Sequence, residues 1–273
     1  MPNPYATTVL TALLSAACVF PTMAQPDSEP PDQPGPRDLS PLAAETDTPP
    51  DDPVAQIIDA FNADDNGITI DRDARTVDID AKVCLRECEF LEQLACSPDT
   101  REHESLLVLQ AKPSMVHTAL LLLGLEPGSP LQWIEEEDSV RTIPPRGPEI
   151  EVLILTTDGE GREVLTPANE WVKDQNSGET MQGNTWLFAG SKFVEVNGQE
   201  MYVADAYGTA ISLVNFGDDL LARATDMTDS NESHGRVWGA NTDAIPEVGT
   251  EVRLRLHVPE AAPPADAGPP SEE

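Results

Sequence analysis

Two segments rich in proline and acidic residues flank the part of this chain between residues 54 and 258. Residues 25–53 read QPDSEPPDQPGPRDLSPLAAETDTPPDDP, and residues 259–273 read PEAAPPADAGPPSEE. Such segments cannot bury enough apolar surface to offset the loss of chain entropy on folding, so we predict a disordered spacer and a disordered tail. One folded domain is therefore predicted between them, over residues 54–258.

The charge of the chain limits its partners. Its 273 residues include 49 acidic and 16 basic side chains, which gives a formal net charge of −33 at pH 7. A charge of this sign repels nucleic acid and anionic membrane surfaces. We therefore expect no nucleic-acid partner and a well-solvated acidic surface.

The first 24 residues have the pattern of an export signal. Residues 9–20, VLTALLSAACVF, form an apolar run that is too short for a transmembrane helix and suits the central part of a signal peptide. The small residues Thr22 and Ala24 then predict cleavage of residues 1–24 and export to the periplasm, the cell envelope or the medium. In the alternative, Cys18 is lipidated and provides the only expected membrane contact, as in a lipoprotein.

The apolar pattern of residues 54–258 is mainly that of β-strands. Alternating apolar and polar residues predict a hairpin formed by residues 68–71 and 76–80. Four further segments read as strands: residues 149–156, 201–203, 209–214 and 252–258.

One segment has helical periodicity instead. In residues 113–124, PSMVHTALLLLG, the apolar residues Val116, Ala119 and Leu120 recur at helical spacing, and Gly124 is a typical stop signal. We therefore predict one buried helix at about residues 113–124. Together with the strands, it indicates a β-rich α+β fold with mainly antiparallel strands, flanked by disordered tails.

Three of the four cysteines lie close together, in the sequence VCLRECEFLEQLAC of residues 83–96. With His103, the thiols of Cys84, Cys88 and Cys96 could form a tetrahedral zinc set, and a metal or redox site of this kind is our alternative hypothesis. Thiols pair in an oxidising compartment, and the acidic residues around Cys88 should raise its pKa. We therefore favour a disulfide between two of the three cysteines and expect neither a metal nor another cofactor.

The sequence contains no recognisable catalytic motif, so enzymatic activity is left open. His103 and Glu104 begin like a metalloprotease helix, but Leu107 stands where the second histidine is required. His117 lies on the predicted helix, where a structural histidine is the commoner case. A hydrolase or transferase that uses His103, Glu104 and Asp205 is a third hypothesis, which depends on residue type alone.

Several short motifs occur together along residues 67–258. They are Gly67-Ile68, Val83-Cys84-Leu85, Ala95-Cys96, Glu102-His103-Glu104-Ser105, the segment 117–124, Phe188-Ala189-Gly190-Ser191, Asn215-Phe216 and Val248-Gly249-Thr250. In combination they resemble the YdjY-domain family of bacterial proteins, which is largely uncharacterised. The resemblance carries over no reaction and no catalytic residue.

The resemblance does bear on the cysteines and histidines. Members of the family are similar at Cys84 and Cys96 and generally lack a counterpart to Cys88, which implies a Cys84–Cys96 disulfide and leaves Cys88 as the odd thiol. The family pattern also implies His103, Glu104 and His117 as candidate binding residues. We therefore predict an exported binding or accessory module of the cell envelope, with an unidentified ligand or envelope protein as partner.

Overall fold

The computed structural model of the protein describes residues 52–137, 139–225, 227–228 and 237–260. The predicted signal peptide, Cys18, nearly all of the predicted spacer and most of the predicted tail lie outside these residues. Among the helices in the described ranges, none is long and apolar enough to cross a membrane.

Three α-helices lie in the described part of the chain: α1 (Pro53–Ala63), α2 (Pro113–Leu122) and α3 (Val203–Tyr207). Helix α2 confirms the predicted helix. Its residues Val116, Ala119 and Leu120 are buried, while Leu121 is 45% exposed, so one face of the helix packs on the core. Helix α1 was not predicted, although Val54, Ile58 and Phe61 recur at helical spacing. It begins where the Asp52 carboxylate accepts the backbone N–H groups of the first turn.

Sixteen strands lie in the same described ranges. They are β1 (Ile68–Asp71), β2 (Thr76–Val83), β3 (Gln93–Cys96), β4 (Ser105–Leu109), β5 (Gln132–Glu136), β6 (Ser139–Ile143), β7 (Glu149–Thr157), β8 (Glu163–Pro167), β9 (Val172–Asp174), β10 (Thr185–Phe188), β11 (Phe193–Val196), β12 (Gln199–Tyr202), β13 (Ile211–Ser212), β14 (Leu221–Ala222), β15 (Trp238–Ala240) and β16 (Glu251–His257). The predicted hairpin is β1–β2, and the predicted strands at 149–156 and 252–258 are β7 and β16.

The strand predicted over residues 209–214 is much shorter than expected. Only Ile211 and Ser212 belong to a strand, because the backbone on either side bonds elsewhere. The Ala210 N–H donates to the Gly208 carbonyl, and the Val214 N–H donates to the carbonyl of Glu92.

Eight strands of the large sheet close into a ring. Around it the order is β2, β16, β7, β10, β14, β13, β3 and β4, and β4 returns to β2 through pairs such as Val83 with Leu107. Strands β1 and β8 are added outside the ring, on β2 and β7. Every pair in this sheet is antiparallel except β3–β4 and β13–β14. The predicted β-rich α+β class with mainly antiparallel strands is thus confirmed.

Alternation along β16 explains how the ring obtains an apolar interior. Val252, Leu254 and Leu256 are buried, and the residues between them point to the other face. There Arg255 makes a two-point ion pair with Asp78, at 2.7 Å for both contacts, in the register that pairs β16 with β2. The acidic residues of β2 therefore lie outside the core and opposite the basic residues of β16.

Large aromatic side chains fill the interior. Trp186 and Phe188 on β10 are fully buried, and the Trp186 indole N–H donates to the Ser212 carbonyl at 2.8 Å. This bond satisfies the indole's only donor, so the ring can be buried at little polar cost.

Candidate functional site

Strands β2, β3 and β4 bring Cys84 and Cys96 together. Cys84 follows β2, with its backbone N–H bonded to the Leu106 carbonyl of β4, and Cys96 ends β3 on the other side of β4. The Cys84 thiol donates to the Ser105 carbonyl at 3.1 Å, and it lies near enough to Cys96 for each thiol to shift the pKa of the other. The structure records both as free thiols, so their disulfide stays a prediction.

The two thiols differ in acidity because each influences the other. The interaction with Cys84 lowers the pKa of Cys96 to about 7, and the interaction with Cys96 raises the pKa of Cys84, which burial raises further. A pair of this kind loses its first proton easily and its second with difficulty. Cys96 is completely buried, however, so attack by an external reagent would have to come from the side of Cys84.

Cys88 is set apart from the pair. It lies in the loop between β2 and β3, where its thiol donates to the Phe90 carbonyl at 3.1 Å and its own carbonyl accepts from the Ala240 N–H of β15. Burial raises the pKa of Cys88, and the charges of Glu104, Glu89 and Glu92 add to this effect. The raised pKa of Cys88 agrees with the expectation from its acidic neighbours in the sequence. Glu104 is farther away in the sequence and comes near Cys88 only in the folded chain.

The hypothetical zinc set of Cys84, Cys88, Cys96 and His103 is not assembled by this fold. Across the ranges that the structure describes, no group of three or more His, Cys, Asp or Glu side chains is placed to hold a metal ion. His103 has a side chain that is 76% exposed, whereas Cys96 is buried within the sheet.

His103 and Glu104 lie in a short 3-10 helix, Glu102–Glu104. This helix is next to Cys84, whose sulfur lies 3.9 Å from the Glu102 carbonyl oxygen. Together with Arg101, Thr100 and Tyr207 they line an open cavity of about 420 Å³, which we call the histidine groove. Its floor is polar and its rim carries exposed His103 and Tyr207 side chains. A groove of this kind fits contact with a polar partner better than enclosure of a substrate.

Arg101, which sequence reasoning missed, holds the groove together. Its Nη1 lies 2.5 Å from a carboxylate oxygen of Glu104, and its Nε donates to the Tyr207 carbonyl at 3.2 Å. Its guanidinium also lies 4.2 Å from the centre of the Phe216 ring. The sequence did offer one indication. Basic residues are scarce in this chain, with 16 against 49 acidic residues, so each is a candidate for a specific ion pair.

His117 lies away from this groove, half-buried on α2. Its Nδ1 is 2.9 Å from the Tyr202 hydroxyl, which donates its own proton to the Gly190 carbonyl at 3.0 Å. Nδ1 must therefore carry a proton and donate to Tyr202. Burial lowers the pKa of His117, so the ring is held neutral and serves to join α2 to β12.

We expect His117 to make stability fall as the pH is lowered. Below pH 6.5 the unfolded chain takes up a proton that the folded ring resists, so protonation favours unfolding. In urea unfolding followed at several pH values, His117→Asn should flatten this part of the curve while keeping an N–H donor for Tyr202. His103→Asn, at an exposed position, is the control, and an equal effect of both variants would contradict the assignment.

The hypothetical catalytic set of His103, Glu104 and Asp205 is also not brought together. The Asp205 carboxylate accepts the Ser114 backbone N–H at 2.8 Å and the Ser114 hydroxyl at 2.7 Å. Asp205 therefore caps the first turn of α2 from α3. It does not line the histidine groove, although the two residues that follow it do.

Asp219 is a second residue that sequence reasoning missed. Its carboxylate is completely buried and accepts the backbone N–H groups of Phe216 and Gly217 at 3.1 Å. Burial nevertheless raises its pKa to about 7. The available signal was the motif of Asn215 and Phe216, which leads into this turn.

Comparison with known proteins identifies the family of the chain. A family model described as the YdjY domain matches residues 68–257, which is well over half of the chain. No curated protein and no solved structure matches it. The match covers the ring of strands, the cysteine pair and the histidine groove, and the chain belongs to the YdjY domain family.

Proposed function

We propose that this chain is an exported binding or accessory module of the cell envelope, in which a Cys84–Cys96 disulfide forms after export. The observation that carries the proposal is the placement of Cys84 and Cys96 on either side of β4, near enough for each thiol to shift the pKa of the other. In an oxidising compartment, neighbouring thiols are expected to pair. The apolar run near the N-terminus supports export, either through cleavage after residue 24 or through lipidation of Cys18.

The histidine groove supports a binding role. Its exposed residues include His103 and Tyr207, and Arg101 is already paired with Glu104. No nucleophile in the described ranges is paired with a histidine base there, so recognition is better supported than covalent catalysis. We propose an envelope protein as the partner.

Alkylation before digestion tests the disulfide. When the exported chain is treated with iodoacetamide and analysed without reductant, we expect a linked peptide pair containing Cys84 and Cys96 and one alkylated thiol, Cys88. Closing this short loop should contribute about 3 kcal/mol to the free energy of unfolding. Cys84→Ser should remove that contribution, and Cys88→Ser is the matched control that should keep it. Three alkylated cysteines, or a disulfide that includes Cys88, would exclude the proposed Cys84–Cys96 disulfide.

The same sample tests export and binding. Its mature N-terminus should lie at Gln25, or at a lipidated Cys18 in the alternative. A photo-crosslinker placed at Tyr207 should capture a specific envelope protein in intact cells, whereas one placed at Glu200, an exposed residue of β12, should not. Equal capture at both positions would contradict binding through the histidine groove.

A redox role is the second candidate, because the pKa of Cys96 is lowered to about 7 beside a second thiol. The reduction potential separates the two roles. A structural disulfide should have a potential below about −300 mV, whereas a functional redox pair should lie near about −200 mV. The complete burial of Cys96 favours the structural value.

A further inference from the structure

A cavity of about 500 Å³ lies beside β10, β14 and β15, away from the histidine groove. Its walls include the apolar side chains Leu187, Leu213 and Met227 together with Trp238 of β15. This volume is within the range of about 300 to 1,000 Å³ that is usual for small-molecule sites. The feature that makes it specific is a single arginine, Arg223, which follows β14.

The Arg223 guanidinium is held in place by backbone oxygens. It donates to the carbonyls of Thr185 at 2.7 Å, Gln182 at 3.1 Å and Gly183 at 3.3 Å. It also lies 4.8 Å from the centre of the Trp186 ring, whose position is fixed in the core. Within the described residues, none of the Arg223 bonds goes to a carboxylate, so its charge is oriented but not neutralised.

Two of its donors remain for a ligand. A guanidinium has five N–H groups, and two of those of Arg223 on Nη1 and one on Nη2 are used by the three carbonyls. The Nε–H and one Nη2–H have no acceptor among the described residues. A carboxylate can take two such donors side by side in a charge-assisted pair.

Trp238 also lines the cavity and has an unpaired donor. It is 9% exposed, and its indole Nε1–H is buried without a hydrogen-bond partner. Buried donors are normally satisfied, so this N–H is available to an acceptor if the ring turns toward the cavity. The Arg223 charge is the main feature that favours an anionic, oxygen-bearing ligand.

We propose that this cavity, the Arg223 site, binds a small apolar molecule that carries one carboxylate. The carboxylate pairs with Arg223, and the hydrocarbon part lies against Leu187, Leu213 and Met227. Glu149, an exposed residue, also lines the cavity, and its charge disfavours dianions such as phosphate esters. The site is independent of the disulfide and of the histidine groove.

Calorimetric titration of the full exported chain with three eight-carbon probes tests the charge requirement. Octanoate should bind at least tenfold more tightly than octanol, which has the same chain without the charge. Octylammonium should not bind. Equal affinities for octanoate and octanol, or no binding of octanoate, would overturn the proposal.

Variants and indole signals test the location. Arg223→Lys keeps the charge but loses the side-by-side donors, so it should weaken octanoate binding at least tenfold. Arg162→Lys, at an exposed arginine on the turn after β7, should bind as the wild type does. In the wild type, octanoate should shift the indole N–H signal of Trp238 and leave that of Trp133 on β5 in place. This last measurement decides the location even if Arg223→Lys does not fold, and a shift of Trp133 alone would overturn it.

Discussion

Replacing Asp219 by Asn should stabilise the domain relative to the wild type by about 4 kcal/mol more at pH 8 than at pH 4. The physical reason is the burial of this carboxylate, which raises its pKa from 3.8 to about 7. The folded protein holds a proton that the unfolded chain releases. The wild-type contribution is therefore complete below pH 3.8 and is lost as the pH rises through about 7. Asparagine has no such proton to lose and keeps an acceptor for the Phe216 and Gly217 N–H groups.

Urea unfolding of both proteins between pH 4 and pH 8 measures this difference. Asp73→Asn, at an exposed residue in the turn between β1 and β2, removes the same formal charge and is the matched control. Its curve should stay parallel to that of the wild type. The His117 effect has the opposite sign, so the comparison must be made between variants at each pH. Parallel curves for Asp219→Asn and wild type would show that the carboxylate is ionised in the fold without penalty.

The second large effect is expected at Gly128, in the loop after α2. A Cβ built there would lie 1.9 Å from the Arg146 carbonyl oxygen and 2.6 Å from the Gly147 Cα. Both are backbone atoms, so no side-chain rotation can relieve the clash. The loop is also held by hydrogen bonds at 2.9 Å, from the Gly128 N–H to the Phe188 carbonyl and in both directions between Ser129 and Arg146. Gly128→Ala should therefore cost about 3 kcal/mol or more.

Gly159→Ala is the matched control for Gly128→Ala. A Cβ at Gly159 would meet no heavy atom within 4 Å, and its φ is outside the left-handed region. The change in its free energy of unfolding should stay within about 0.5 kcal/mol of zero or be a small gain. Failure of Gly128→Ala to fold would agree with the prediction. Similar unfolding curves for the two variants would contradict it.

Local patterns predicted the elements whose burial repeats along the chain. Alternation in β2, β7 and β16 was read correctly, because each strand has one face in the core and repeats its pattern every two residues. Helix α2 was read correctly for the same kind of reason. Strand β13 was overestimated because the backbone N–H groups on either side of it bond to groups outside the sheet. Helix α1 was not predicted, although Val54, Ile58 and Phe61 recur at helical spacing.

The residues of the candidate site were also predicted only in part from the sequence. The family resemblance selected Cys84 and Cys96 from three cysteines, and the structure places these two on either side of β4, where each shifts the pKa of the other. His103 and Glu104 share a groove, whereas His117 lies elsewhere and bonds to Tyr202. Sequence spacing could not separate them, since His117 follows His103 and Glu104 closely along the chain but lies on a different element.

By itself, the sequence determined the family, the β-rich class, the position of α2 and the strands with regular alternation. Only the tertiary structure decided that β4 closes the ring onto β2, that Asp219 is buried and that Arg223 lines a cavity while its guanidinium donates to backbone carbonyls. The physical reason is the distance along the chain between the residues that interact. Periodicity records which face of one element is buried, but ionisation and pairing depend on groups contributed by strands far apart in the chain.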